Sequence, residues 1–319
     1  MSLRLAERWL WDFWFAGDGQ DVHVFYLQAP RSLGDPGLRH HGATIGHARS
    51  RDLREWEVLP DALGAGAPGE WDDLATWTGS VLRHDGSWFL FYTGASRAEQ
   101  GTVQRIGLAT SGDLVTWHRR GLVLEADPRW YETRGPGAPD EHWRDPWVAV
   151  DEERGGWDML VTARAKDGTS DARGVIGHAR SSDLLTWTAG PPLAHPGELR
   201  QLEVPQLVRL GGRWRILFSA GPEAHGAARL ARPGAVAEWG THELVAESRL
   251  GPYRLPAGRF VVGDPVGRHY AGRLLEHDGG WVFMAWRLHD ERGAFVGELG
   301  DPMPVRVGAD GSLVVGAYT

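Results

Sequence analysis

The chain contains no cysteine, so disulfides, thiolate metal sites and cysteine nucleophiles are excluded. Lysine is nearly absent as well: Lys166 is the one example, and Arg supplies the other basic residues. With a formal net charge of −8 and no basic block, nothing invites a nucleic acid partner. No apolar run approaches the roughly 18 residues of a membrane span. Glu7 and Asp12 interrupt the apolar N-terminal stretch, and no small-residue cleavage site follows it. The expectation is a cytoplasmic protein, on the reading that Met1 is the natural start. Helix-favouring Ala/Glu/Lys periodicity is scarce.

Glycine and tryptophan are abundant instead, at 44 and 17 residues out of 319. Gly-rich turns with many aromatics point to an all-β fold. One signature recurs. It runs Ile45-Gly46-His47-Ala48-Arg49-Ser50-Arg51-Asp52-Leu53 to Trp56, then Ile106-Gly107 through Ser111-Gly112-Asp113-Leu114 to Trp117, then Ile176-Gly177 through Ser181-Ser182-Asp183-Leu184 to Trp187. A degraded copy is read at Ala228–Pro233, ending at Trp239. Each copy reads as a strand, a turn held by Ser and Asp, and a Trp that opens the next strand. Repetition makes Asp52, Asp113 and Asp183 structural.

Two further series have the same period. Strand-like runs centred on Phe25, Phe91, Leu160, Leu217 and Met284 lie 57–69 residues apart. Four follow hairpin signals at Asp85-Gly86, Gly155-Gly156, Gly211-Gly212 and Gly279-Gly280. Before them come Leu10–Phe15, Trp77–Leu82, Trp143–Val148, Leu202–Leu207 and Tyr270–Leu275. Five four-stranded units repeated radially give a five-bladed β-propeller. It occupies residues 1–319 as a single domain without a C-terminal β-sandwich, and Ser312–Val315 is read as a closing strand.

The first strand of each propeller blade lines the central channel. Asp12 stands there within an aromatic run, Leu10-Trp11-Asp12-Phe13-Trp14-Phe15. Burying an unpaired charge is costly, so this carboxylate needs partners or a task. Residue offsets place Asp145 and Glu203 at roughly the same level, with Gly79 and Tyr270 in the other two blades. Three convergent carboxylates raise at least one pKa, which suits glycoside cleavage: one acid stays ionised and one protonated. The bland alternatives are a strand-end Asp12, an Asp145 paired with Arg144, and a surface Glu203 before Pro205. Trp11, Trp14, Trp77, Trp143 and Trp147 can stack on a sugar, although most Trp residues should pack between blades. His142, His225 and His269 are candidates to line the pit, and residues 134–141 to overhang it. The histidine spacing fits no metal template.

The chain resembles the fructofuranosidase-type glycoside hydrolases of families 32 and 68, with family 43 more distant. The matching stretches are Trp11-Asp12-Phe13-Trp14, Phe25-Tyr26-Leu27-Gln28, Gly46-His47-Ala48 through Leu59-Pro60, Trp77-Thr78-Gly79-Ser80, Arg144-Asp145-Pro146, Leu202-Glu203-Val204-Pro205 and His269-Tyr270-Ala271. They occur in the family's order. The resemblance implies a five-bladed propeller and a retaining cleavage of a small β-fructofuranoside. Asp12 would be the nucleophile, Glu203 the acid and base, and Asp145 the transition-state stabiliser. Trp11, Trp14, Gln28, Trp77, Thr78, Arg144 and Tyr270 would bind the sugar, Arg144 holding a hydroxyl or carboxylate. Trp11 stands where invertases carry Asn, and Phe13-Trp14-Phe15 where they carry Pro-Asn-Gly, which implies a more aromatic subsite than theirs. No cofactor and no metal site are implied; a structural calcium ion is left open. The expected partner is a small carbohydrate. Other outcomes are family 43-like inversion on an arabinofuranoside or xyloside, fructosyl transfer, and a glycan-binding propeller without catalysis.

Overall fold

The computed structural model describes residues 3–257 and 260–316. Five antiparallel sheets follow one another along the chain. The first holds β1 (Arg8–Gly17), β2 (Val22–Pro30), β3 (Thr44–Ser50) and β4 (Glu57–Leu63). The second holds β5 (Ala75–His84), β6 (Ser87–Ala95), β7 (Gln104–Ser111) and β8 (His118–Leu124). The third holds β9 (Trp143–Val150), β10 (Trp157–Arg164), β11 (Gly174–Ser181) and β12 (Thr188–Ala194). The fourth holds β13 (Glu203–Leu210), β14 (Arg213–Ala220), β15 (Trp239–Ala246) and β16 (Val262–Asp264), with a short helix α1 (Ala227–Leu230) before β15. The fifth holds β17 (His269–His277), β18 (Gly280–His289), β19 (Phe295–Leu299), β20 (Met303–Val307) and β21 (Leu313–Val315). Every named strand belongs to one of these sheets.

The first strands contact one another in order, β1 with β5, β5 with β9, β9 with β13, β13 with β17, and β17 again with β1. That closed circuit is the five-bladed propeller expected from the repeats. Burial falls from centre to rim. The middle strand β2 is buried over seven consecutive residues, whereas the outer strands β4 and β8 are mostly exposed. Charged and polar side chains on those outer edges discourage edge-to-edge pairing.

The repeated turn does what its residues require. Asp52 Oδ1 accepts from the amides of Arg54 (2.9 Å) and Glu55 (2.8 Å), and Ser50 Oγ bonds to the same carboxylate. Asp113 and Asp183 repeat the arrangement with Val115 and Thr116, and with Leu185 and Thr186. The following Leu53, Leu114 and Leu184 all take positive φ, near 61–65°. Their Trp residues then fill the gaps between blades. Trp117 meets Phe25 edge-on at 5.8 Å, and Trp187 meets Phe91 at 5.4 Å.

Three details differ from expectation. Ala228–Pro233 is not a fourth copy: Ala227–Leu230 forms α1, built of good helix formers without the Ser-x-Asp-Leu turn. The last hairpin turns at Asp278-Gly279, both at positive φ, rather than at Gly279-Gly280. The C-terminal strand β21 does not close the ring against an N-terminal strand. It pairs with β20 as the outermost strand of the fifth blade, and the Leu299 amide donates to the Leu3 carbonyl at 3.1 Å.

Candidate active site

Each innermost strand carries one extra residue at the same level. The register slips between Trp11 and Phe13, Trp77 and Gly79, across Asp145-Pro146, across Val204-Pro205 and across Ala271-Gly272. A β-bulge of this kind bends a strand and re-aims its side chains. Asp12, Asp145, Val204 and Ala271 adopt positive φ there. For non-glycine residues that costs roughly 1 kcal/mol or more each, and such strain gathers at functional sites.

The bulges define two tiers. Asp12, Thr78, Asp145, Val204 and Ala271 form one. Trp11, Trp77, Arg144, Glu203 and Tyr270 stand one residue earlier and form the other. Asp12 and Asp145 are therefore equivalent, as expected, but Glu203 is not. It stands one place earlier, level with Arg144 and Tyr270. The blade-two counterpart of Asp12 is Thr78 rather than Gly79, and the blade-five counterpart is Ala271 rather than Tyr270. Counting residues between strands missed this because a bulge adds a residue without adding a pairing.

Both tiers open on one cavity of about 350 Å³, into which Asp12, Asp145 and Glu203 all project. Arg273, 1% exposed, lies on the innermost strand of blade five, two residues past Ala271. Its guanidinium donates to the carbonyls of Phe13 (3.2 Å), Val204 (3.2 Å) and Pro205 (2.6 Å), binding blades one and four to blade five. Further ties run from blade to blade. Thr93 Oγ1 accepts from the Asp145 amide at 2.9 Å, and Thr162 Oγ1 from the Val204 amide at 3.2 Å. Thr241 Oγ1 accepts from the Gly272 amide at 2.9 Å.

Asp12 is fixed through both oxygens. Trp286 Nε1 donates to Oδ1 at 3.0 Å, and Thr78 Oγ1 to Oδ2 at 3.2 Å. Burial, then the nearby Asp145 and Glu203 carboxylates, push its pKa up to about 7; Arg39 and the Thr78 bond pull the other way. Asp145 is 3% exposed and its Oδ2 accepts from Thr162 Oγ1 (2.8 Å) and the Val204 amide (3.1 Å). Burial raises its pKa too, against the pull of Arg144. Glu203 is gripped at both ends, Oε1 by Arg144 Nη2 and Oε2 by the Tyr270 hydroxyl, each at 2.6 Å. Burial and Glu203 hold the Tyr270 hydroxyl well above its usual pKa.

Arg144 spends its donors inside the protein. Nη1 donates to Gln104 Oε1 (3.2 Å) and His142 Nδ1 (2.7 Å), and Nη2 to Gln201 Oε1 (3.0 Å) and Glu203. Arginine only donates, so His142 accepts through Nδ1 and turns Nε2–H toward Asp140, 3.3 Å away. Burial and Arg144 hold His142 neutral, its pKa near 2.

The sequence model of the glycosyl hydrolases family 32 N-terminal domain matches residues 18–243, more than two thirds of the chain. This protein belongs to glycosyl hydrolase family 32. Over 215 residues the chain is 32% identical to a sucrose-6-phosphate hydrolase of Zymomonas mobilis, covering 62% of this chain and 38% of that protein. It is 28% identical over 275 residues to a levanase of a Bacillus species, covering 77% and 27%. The chain thus spans well under half the length of these curated relatives. Among solved structures, an inulosucrase of Halalkalicoccus jeotgali bound to kestose superposes with a TM-score of 0.79 at 23% identity, covering 99% of this chain and 91% of that one. Bacillus subtilis levansucrase gives 0.74 at 15%, covering 98% and 87%. At those identities the likeness is one of fold.

Of the sugar-binding residues expected in this family 32 chain, Trp11, Trp77, Thr78, Arg144 and Tyr270 line the cavity; Trp14 and Gln28 do not. Trp14 shares the face of Trp11 but lies farther along β1, where it stacks on Phe25 at 6.1 Å in the core. Gln28 follows the cavity-facing Leu27 and points to the opposite side, toward Thr44 Oγ1 at 3.4 Å. Of the three histidines only His142 lines the pit; His225 packs against His242 and Phe260. The cavity also takes Arg39, Gln104, Glu223, Trp239 and Trp286, which the motifs did not announce. Trp286 sits at a mid-strand position that the hairpin series did mark. Arg39 sits in the Gly/Pro-rich loop between β2 and β3, whose sequence does not recur in the corresponding loops of the other blades. Among the described residues, no group of three or more His, Asp or Glu is arranged to hold a metal ion, and no helix is long and apolar enough to cross a membrane.

Proposed function

We propose that this family 32 protein removes a terminal β-fructofuranosyl unit from a small carbohydrate by double displacement. The observation that carries the reading is the meeting of Asp12, Asp145 and Glu203, from three blades, in one cavity. Asp12 attacks the anomeric carbon while the glycosidic C–O bond breaks and Glu203 gives its proton to the leaving oxygen. A water then returns a proton to Glu203, its oxygen attacks the same carbon, and Asp12 is released. Trp286 and Thr78 keep the Asp12 carboxylate from rotating. Asp145 faces the sugar hydroxyls and the positive charge that develops on the ring.

Glu203 must work in both protonation states, and its partners allow it. The Tyr270 hydroxyl donates to the carboxylate and accepts from the carboxylic acid, while Arg144 anchors the other oxygen. The test is sugar release from sucrose, sucrose 6-phosphate, short fructo-oligosaccharides, aryl arabinofuranosides and aryl xylosides, with wild type beside Asp12→Asn and Glu203→Gln. Fructose released by wild type and by neither variant is the expected result. Arabinose or xylose release would move the protein to another specificity, and tight sugar binding without any release would make it a binding propeller.

A further inference from the structure

The cavity contains two guanidiniums, Arg39 and Arg144, against four carboxyl groups, Asp12, Asp145, Glu203 and Glu223. They are not alike. Both terminal nitrogens of Arg144 are occupied twice over by Gln104, His142, Gln201 and Glu203, and its Nε faces Asp145 Oδ2 at 3.5 Å. Four of its five N–H groups are thus bonded inside the protein. Arg39 is carried by the 3₁₀ turn Pro36–Gly42 between β2 and β3, and its Nη1 donates to the Pro36 carbonyl at 2.9 Å. Its Nε is buried without a hydrogen-bond partner among the described residues. Leaving a buried donor unmade is expensive. The guanidinium is nonetheless held in place, its Cζ 5.3 Å from the Trp11 ring centre and 4.8 Å from that of Phe295. The turn is pinned by Asp35, whose Oδ1 accepts from the Gly37 amide at 2.7 Å, and by Trp77 Nε1, which donates to the His40 carbonyl at 2.8 Å.

We infer that Arg39, rather than Arg144, is the sugar clamp of this site, and that the site takes uncharged fructosides in preference to phosphorylated ones. Arg39 Nη2 makes no hydrogen bond among the described residues, so the planar fork has a donor to offer a sugar hydroxyl. A phosphate ester, by contrast, would bring about two more negative charges to a cavity where carboxyls already outnumber guanidiniums. The inference rests on the fructosidase reading and names the substrate class of that same site.

The experiment measures fructose and fructose 6-phosphate binding by calorimetry, and kcat/KM for sucrose and sucrose 6-phosphate, in wild type, Arg39→Ala and Arg39→Lys. Circular dichroism and Tm check that the variants fold. In wild type the uncharged member of each pair is expected to be favoured by tenfold or more. Arg39→Ala is expected to weaken fructose binding by tenfold or more at unchanged fold, with Arg39→Lys recovering part of the loss. A fructose Kd within twofold of wild type in folded Arg39→Ala overturns the clamp. Equal handling or a preference for the phosphorylated compounds overturns the substrate class. Either result with fructose still released from sucrose leaves the fructosidase reading standing; a wild type that neither binds fructose nor cleaves any fructoside overturns both.

Discussion

Two sets of aspartates show how one repeated backbone serves two ends. At the rim, Asp52, Asp113 and Asp183 occupy copies of one turn, each accepting from two amides and a Ser hydroxyl. Those bonds hold their pKa values below the usual range, near 2 for Asp113. At the centre, Asp12 and Asp145 occupy copies of one bulge, and burial pushes their pKa values up. The rim turn keeps its side chain from blade to blade because the side chain makes the turn. The bulge keeps only its backbone: its five side chains are Asp, Thr, Asp, Val and Ala. Where geometry repeats and chemistry does not, the side chain answers to something other than the fold.

The sharpest way to break this comparison is activity. Asp12→Asn and Glu203→Gln should each lower kcat/KM on a cleaved fructoside by about a thousandfold or more. Asp113→Asn should leave it within about twofold. Comparable losses at rim and centre would erase the distinction. Stability should move the opposite way. A carboxyl whose pKa rises from 3.8 to about 7 on folding destabilises the fold as pH climbs. The cost is absent below about pH 4 and complete above about pH 7. Asp12→Asn should therefore be more stable than wild type at pH 8, by about 2–4 kcal/mol, and equal to it at pH 4, as denaturant titrations at both values would reveal.

The hydrogen bond to Asp12 offers a finer test. As the proposed nucleophile Asp12 reacts as the anion, so the acid limb of kcat/KM should fall near pH 7 in wild type. Trp286→Phe keeps the ring and removes the donor; the limb should move to higher pH and kcat drop by about tenfold. An unmoved limb would make Trp286 a packing residue. The smallest effect belongs to Asp113→Ala, a loss of about 1 kcal/mol at neutral pH seen in thermal melts. Since the folded pKa is depressed, that contribution should vanish in acid, as pH falls through about 2.

Blade number, strand order and the three acidic residues were legible in the sequence because a propeller writes its architecture as a period. Asp12 stood out as a charge within an aromatic strand, and Glu203 by its Leu-Glu-Val-Pro setting. What stayed hidden was whatever breaks the period. A bulge has no residue signature here: Asp, Val and Ala all occupy its strained position. The Glu203 offset follows from a one-residue shift that alternation alone does not register, whereas the averted face of Gln28 is ordinary alternation on β2. Arg39 was hidden for the opposite reason: the sequence of its loop does not recur, so no comparison between blades could single it out.

The bond from Trp286 to Asp12 joins residues 274 positions apart. On a ribosome adding roughly 5–20 residues per second, the indole is made some 15–55 s after the carboxylate it holds. For that interval β1 is an aromatic strand with no fifth blade to lie against, and its acid lacks the indole donor. On the proposed mechanism, the site is therefore completed late in synthesis, when the final blade docks. Sugar cleavage by a nascent chain would serve as a clock for the closing of the ring.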